Sequence, residues 1–501
     1  MINNVLQYLE NSAQKYPDKV AFSGEDATLT FSLLENYAKS IGTCVSQFSS
    51  IRNPIAIIME KSANTIAAFM GTLYAGCFFV PIDSKMPKDR AVKIIKNINS
   101  NVIICDEKNQ EKARELSSSA TILLFNDIIE QKINDEVLVN NKKQIIDTDL
   151  LYVFFTSGST GEPKGVTISH RCMIDYTEFL HTYLGLCHTD VFGNQSPWHF
   201  DNSCFDIYST LKNASTTYIV PQKCFMFPKL LINYLNDKKI NTICWVPFAL
   251  INIANSGILN KNIPKYLEKI HFGAEVMPTK QLNIIKQFLP NARYCNMYGP
   301  TETTIYSTYY ILNREFKDDE VIPIGFACPN TRIIVLNDQN KEVTMNEIGE
   351  LCILGSSLSF GYYNDEKKTN EVFVQNPLNT IYREIMYRTG DLVKYNELGE
   401  LVYVSRKDFQ IKHKGYRIEL GEIEAEIMSI EEVLRTCCLY DSKKFKIVCF
   451  YVGDIDALQI KKSLSQKVSA YMVPEKYIKL DKIPQTPNGK IDRVKLKNDY
   501  M

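Results

Sequence analysis

The chain has 501 residues, room for a large α/β domain and a smaller companion at about 150 residues per domain. Its 45% apolar and 23% charged residues exclude a disordered chain. With 57 basic against 57 acidic residues the formal net charge is zero, which excludes a global polybasic surface for nucleic acid or anionic lipid. The 14 cysteines form no C-x-x-C pair, so zinc ribbons and thioredoxin-type redox sites have no support. Met1–Lys19 lacks the apolar core of an export signal, so reduced thiols in a cytoplasm are expected.

Short apolar runs of strand length occur in order at Pro54–Met59, Asn101–Cys105, Leu150–Phe155, Thr242–Val246 and Lys269–Phe272, with helix-like segments between them. That alternation predicts an α/β fold with mainly parallel sheet. Ile66–Ile82 carries no charge, but it is shorter than the roughly 20 residues a membrane span needs, and Gly71, Gly76 and Pro81 divide it. It reads as a buried helix running into a buried strand, with no membrane span. From about Ile324 the texture turns to shorter strands, Arg332–Asn337, Gly349–Leu354 and Leu401–Val404, forming a β-rich subdomain. A helical pattern at Glu422–Ile430 then opens a compact α+β tail. The expected organisation is a core domain over 1–405, a hinge at 406–409 and a small mobile domain over 410–501.

The densest local signal is Thr156-Ser157-Gly158-Ser159-Thr160-Gly161-Glu162-Pro163-Lys164-Gly165, directly after the run Leu150–Phe155. Hydroxyls and glycines at this density offer O–H and N–H donors to phosphate oxygens without side chains blocking the approach, and Lys164 adds positive charge. It is not the usual P-loop, because Gly165 stands where Ser or Thr would follow the lysine. The same composition also suits a flexible Gly/Ser surface loop. A helix is predicted to follow, with Ser169 as N-cap and Gly185 as its stop.

The whole string resembles the signature of the adenylate-forming superfamily, which includes acyl-CoA synthetases, luciferases and the adenylation domains of nonribosomal peptide synthetases. Further motifs follow in the family's order: Tyr74–Asp83, Asn296-Met297-Tyr298-Gly299-Pro300-Thr301-Glu302-Thr303-Thr304, Gly349–Gly355 with Gly361-Tyr362, Tyr387–Asp391, Arg406–Lys412, Gly415–Glu424 and Asn488–Arg493.

The resemblance implies a division of labour. A carboxylate attacking the α-phosphate of ATP brings two anions together, so positive charge must meet the transition state. Lys490 would reach both the substrate carboxylate and the α-phosphate, and Glu302, beside Thr301, would hold Mg²⁺. Asp391 would accept the ribose hydroxyls, Arg406 would contact ribose or phosphate, and Tyr403 would also bind ATP. Tyr298 would offer an aromatic face to adenine, Asn296 would meet its polar edge, and Gly273-Ala274-Glu275 would line its other side. Ser405 stands where the family usually has Gly before the arginine. Asp408 would be the hinge about which the tail rotates between two half-reactions.

Amino-acid-activating members resemble this chain at Phe200-Asp201-Asn202-Ser203, where the aspartate would pair with the substrate ammonium. The family positions Asn202, Phe205, Trp245, Ile270, Phe272, Met297, Ile305 and Tyr306 would wall the pocket, and their bulk implies a small amino acid. No Leu-Gly-Gly-x-Ser carrier signature follows Arg493, so a free-standing, monomeric enzyme is expected, with phosphopantetheine on a separate carrier protein as acceptor. Within the superfamily the layout resembles D-alanine–carrier protein ligases and, equally at Gly421 and Thr303-Thr304-Ile305, peptide-synthetase adenylation domains for small L-amino acids. An acyl- or aryl-CoA synthetase is the other reading, and Asp201 is the residue that separates them.

Overall fold

The structure, a computed structural model, describes residues 2–158, 162–442, 444–485 and 491–501. It divides into two compact units: residues 1–84, 98–154 and 165–407, and residues 85–97, 155–164 and 408–501.

The first unit is built on two large sheets. In the nine-stranded sheet, Thr216–Ile219, Val191–Asn194, Thr242–Trp245, Lys269–Gly273 and Arg293–Tyr298 run parallel, and Thr308–Ile311 turns antiparallel beside the last of them. The six-stranded sheet centres on Pro54–Ile58, parallel to Phe78–Pro81 on one side and Val102–Cys105 on the other. Ile66–Ile82 is a helix, Ala63–Tyr74, followed by the strand Phe78–Pro81. Ser62 caps that helix through the Thr65 amide, and Thr30 caps the helix Phe31–Val45 through Leu33. The two helices cross closely because each brings a glycine to the contact. A Cβ on Gly71 would lie 2.5 Å from Ile41, and one on Gly42 would lie 2.6 Å from the Tyr74 Cβ.

The helix His170–Leu184 begins at its predicted cap, Ser169, which accepts from Cys172, and ends at Gly185 in the left-handed region (φ 65°). One element departs from expectation. The strand Lys164–Ser169 lies between the glycine-rich loop and this helix, so the loop joins two strands. The β-rich part is an antiparallel set, Thr331–Leu336, Gly349–Gly355, Ile385–Tyr395, Phe373–Gln375 and Leu401–Arg406, over a core of Val335, Leu351, Ile353 and Val393.

In the second unit, Gln410–His413 and Tyr416–Glu419 form a hairpin closed by Lys414 and Gly415, both at positive φ as a two-residue turn requires. The helix Leu420–Met428 packs Ile423 and Ile427 with Cys438, Cys449 and Met472. Those two cysteines lie on the antiparallel strands Val433–Asp441 and Lys446–Gly453. Among the described residues, no helix is long and apolar enough to cross a membrane, and no cluster of three or more His, Cys, Asp and Glu is placed to hold a metal ion.

Candidate active site

The strand Arg293–Tyr298 ends where Tyr298, Asp391 and Arg406 meet. Tyr298 donates its hydroxyl to Asp391 Oδ2 at 2.5 Å, and Arg406 donates to Oδ1 at 2.8 Å. The ion pair is almost wholly enclosed, with 9% and 3% of the two side chains exposed. Burial first, and then the Asp391 charge, raises the Tyr298 hydroxyl far above its ordinary range. Tyr403 packs half-buried against the apolar core to which Tyr298 belongs. The Thr389 hydroxyl accepts from the Asp391 amide, so the carboxylate is held through its backbone as well. This corner can present a fixed negative charge to vicinal hydroxyls.

The expected adenine wall is only partly free for that task. The Asn296 side-chain amide donates to the Pro323 carbonyl at 2.8 Å, so one of its polar ends already serves the fold. Glu275 accepts from the Phe248 amide at 3.3 Å, and Ala274 takes a positive φ of 68°. Gly273 and Gly299 allow a close approach of neighbouring chain that any side chain would block. A Cβ on Gly273 would lie 2.6 Å from the Tyr306 ring, and one on Gly299 would lie 2.4 Å from the Ile305 carbonyl.

Thr301 opens a single 3₁₀ turn, Thr301–Thr303, that carries Glu302 inward. Glu302 is fully buried, and Tyr362 donates its hydroxyl to Oε1 at 2.8 Å. Thr304 and Ile305 follow at φ 60° and 72°, in the left-handed region that β-branched residues resist at about 1–3 kcal/mol each. Two bonds hold them there, Thr304 Oγ1 to the Ser357 carbonyl at 2.7 Å and the Ser307 amide to the Tyr298 carbonyl at 2.7 Å. The strained turn leaves the Tyr306 hydroxyl on Asn202 Oδ1 at 2.7 Å.

That bond lies where the substrate pocket is expected. Asn202 also donates to Ser196 at 2.8 Å and to the Cys244 carbonyl at 3.2 Å, and the Cys244 thiol lies 3.4 Å from Asn202 Oδ1. Asp201, part-exposed, precedes the helix Ser203–Asn213. Tyr152, Cys204 and Tyr306 all sense its charge, which adds to burial, the larger cause, in raising their acid groups. Phe205, on the same helix, is fully buried 5.2 Å from the His271 ring. Met297 and Ile305 belong to the same apolar core as Phe205, Cys244 and Tyr306.

The pleat corrects three expected wall residues. Cys244 pairs with His271 and His271 with Cys295, while Trp245 pairs with Phe272 and Phe272 with Asn296. Neighbours in register share a face and successive residues alternate, so Trp245 and Phe272, with Ile270, lie on the face opposite Cys244 and His271. Trp245 donates its indole N–H to the Gly193 carbonyl at 2.6 Å and packs its ring edge-on to Phe225. The residues that sequence comparison missed are therefore Cys244 and His271, one position earlier on each strand. Strand alternation was the signal that could have found them.

Three titratable groups behind the pocket have been driven towards neutrality. Burial pushes Asp206 up to about 7 against the Asn194 amide that donates to it at 2.7 Å. Burial lowers Lys61 to about 7 despite Asp206. Burial, with help from Arg293 and Lys269, lowers His271 to about 3, and neither ring nitrogen has a hydrogen-bond partner among the described residues.

The glycine-rich loop falls in the second unit. Thr156 ends the strand Leu150–Thr156, and Ser157 donates its hydroxyl to the Arg417 carbonyl at 2.8 Å. The Gly158 amide donates to Glu422, and Lys164 Nζ lies 3.9 Å from Glu419. A Cβ on Gly158 would sit 2.1 Å from the Glu162 carbonyl oxygen, so that position needs glycine. Donors that serve carboxylate oxygens are chemically suited to phosphate oxygens. Asp408 begins the long segment of this unit and accepts from the Gln410 amide at 3.1 Å. Ser159, Thr160, Gly161 and Lys490 lie outside the described residues.

Comparison with known proteins gives the fold a class. It is that of solved adenylation domains: a nonribosomal peptide synthetase protein containing adenylation and PCP domains superposes with a TM-score of 0.84 at 20% identity, over 99% of this chain and 84% of that one. The chain belongs to the AMP-binding enzyme family, whose model matches residues 9–363. It is 31% identical to bacitracin synthase 1 of Bacillus licheniformis over 97% of its own length and 9% of the synthase. It is 30% identical to a D-alanine–D-alanyl carrier protein ligase of Bacillus licheniformis over 99% of both chains. The chain spans between 8% and 44% of the length of the peptide synthases it matches first.

Proposed function

We propose that the protein activates a small amino acid, D-alanine foremost, as aminoacyl-AMP and passes the aminoacyl group to the phosphopantetheine thiol of a carrier protein. The observation that carries this reading is Asp201 just before the helix Ser203–Asn213, whose N-cap Asn202 meets Tyr306 and whose first turn brings Phe205 against His271. A carboxylate beside closely packed, buried side chains suits an ammonium group with a short side chain. Similarity to the D-alanine–D-alanyl carrier protein ligase over 99% of both chains supports D-alanine over other small amino acids.

In the first half-reaction a carboxylate oxygen of the amino acid attacks the α-phosphorus of ATP, the bond to the bridging oxygen breaks, and pyrophosphate leaves. Lys490 would place positive charge between the two anions. Asp391, fixed by Tyr298 and Arg406, would accept the ribose hydroxyls. Ser157, Gly158 and Lys164, with Ser159, Thr160 and Gly161, would receive phosphate oxygens. Glu302 and Thr301 are hard oxygen donors of the kind Mg²⁺ takes, and the Tyr362 bond orients the carboxylate for that task. Mg²⁺ would neutralise charge on the departing pyrophosphate. In the second half-reaction the carrier thiolate attacks the acyl carbon and AMP leaves, after the tail turns about Asp408.

The test is loading of a phosphopantetheine-bearing carrier protein, read as a mass increase, with D-alanine, L-alanine, glycine, serine, β-alanine and short-chain or aryl acids as rivals. D-Alanine should load fastest, and Asp201→Ala should cost about 3–5 kcal/mol in kcat/KM for the amino acid. Preferred loading of an L-amino acid would replace the substrate and keep the chemistry. Loading by a non-amino acid that is indifferent to Asp201→Ala would overturn the reading.

A further inference from the structure

Three residues after Lys490, at the start of the helix Arg493–Tyr500, Arg493 is the meeting point of three separate segments of the second unit. Its Nη2 donates to both oxygens of Glu424, at 2.8 and 2.9 Å, from the helix Leu420–Met428. Its Nη1 donates to the Cys438 carbonyl at 2.7 Å on the strand Val433–Asp441. Glu424 in turn accepts from the Cys438 amide at 2.6 Å, so both polar groups of Cys438 are held by this one pair of side chains. The guanidinium carbon also lies 4.0 Å from the centre of the Phe409 ring, the residue directly after Asp408. The Arg493 and Glu424 side chains are each more than four-fifths buried, whereas Phe409 is 58% exposed.

We propose that Arg493 is a positioning residue for adenylation, tying the chain segment that carries Lys490 to the residue that follows the hinge. This rests on the assignment of Lys490 and Asp408 given above. A guanidinium in a planar fork fixes direction as well as distance, which a lysine at the same place cannot do. Phe409 is an unusual partner, because an exposed ring next to a pivot adds little to the core. Stacked on Arg493, it ties the start of the unit to the first residue of the last helix, three positions after Lys490 in the chain. Adenylation needs that lysine in place and thioester formation does not, so the two half-reactions should respond differently.

The test measures both halves on the same preparations. Pyrophosphate exchange reads adenylation, and transfer from added alanyl-AMP to the carrier thiol reads thioester formation. Arg493→Ala should slow exchange by about 10²-fold, the loss expected when a reacting group is misplaced by an ångström, while transfer changes by less than about threefold. Arg493→Lys should recover only part of the exchange. Phe409→Leu, at an exposed ring, should slow exchange about two- to fivefold, equivalent to an exposed cation–π contact, and it supplies the comparison should Arg493→Ala not fold. Equal slowing of both halves, or of neither, would overturn the proposal and leave Arg493 as an anchor of the last helix. Normal exchange by Lys490→Ala would overturn the underlying reading of the reaction and this inference with it.

Discussion

The corner formed by Tyr298, Asp391 and Arg406 and the cluster around Asn202, Cys244 and Tyr306 handle charge in opposite ways. At Tyr298, Asp391 and Arg406 a full ion pair is kept, because each carboxylate oxygen has its own donor. Behind Asn202 and Tyr306 the structure removes charge instead, raising Asp206 to about 7 and lowering His271 to about 3 by burial. On the proposed reading the corner meets a ribose, which is the same in every turnover, so fixed charges can be built to meet it. On the proposed reading, a pocket that selects a short side chain gains from neutral, close walls.

Breaking the ion pair should have the largest effect on stability. Asp391→Ala leaves a buried guanidinium without its carboxylate and should cost about 3–5 kcal/mol in denaturant unfolding. The double variant Asp391→Ala/Arg406→Ala should cost less than the sum of the singles, and strict additivity would show that the pair is not coupled.

On the pocket side, the expected effect is in the pH profile. The folded state holds His271 neutral far below the usual 6.5, so the unfolded chain binds a proton that the folded chain refuses. Stability that is full above pH 6.5 should therefore fall as pH drops towards 3, by on the order of 4 kcal/mol for this group. His271→Leu should flatten that acid limb in a series of thermal melts. An unchanged slope would place the proton elsewhere.

The smallest effect sharpens the choice of wall residues. Cys244→Val should reduce discrimination among small amino acids by roughly tenfold, about what one or two methyl groups are worth in a pocket. Trp245→Phe should leave the ranking of substrates alone and lower stability by about 1–3 kcal/mol. A changed ranking from Trp245→Phe would reverse the assignment of faces.

These contrasts explain what could be read from the chain alone. The parallel strands, Ser169 as a cap and Gly185 as a stop are local signals, and each appears where periodicity and turn chemistry put it. The motif residues were legible as types, but their partners were not. Tyr362 meets Glu302 across 60 residues and Asp391 meets Tyr298 across 93, and no local pattern encodes such pairings. The strand Lys164–Ser169 was hidden because loop composition dominates its start. Trp245 and Phe272 were misplaced by a single step of the pleat, where one residue of register reverses inside and outside.

The most direct test of the central claim is ATP–pyrophosphate exchange with purified protein, Mg²⁺ and a panel of amino, aryl and short-chain acids, run beside Lys490→Ala. The account predicts exchange driven by D-alanine above all others, and a fall of about 10²–10³-fold in the lysine variant. Exchange with no amino acid in the panel, or undiminished exchange without Lys490, would contradict it.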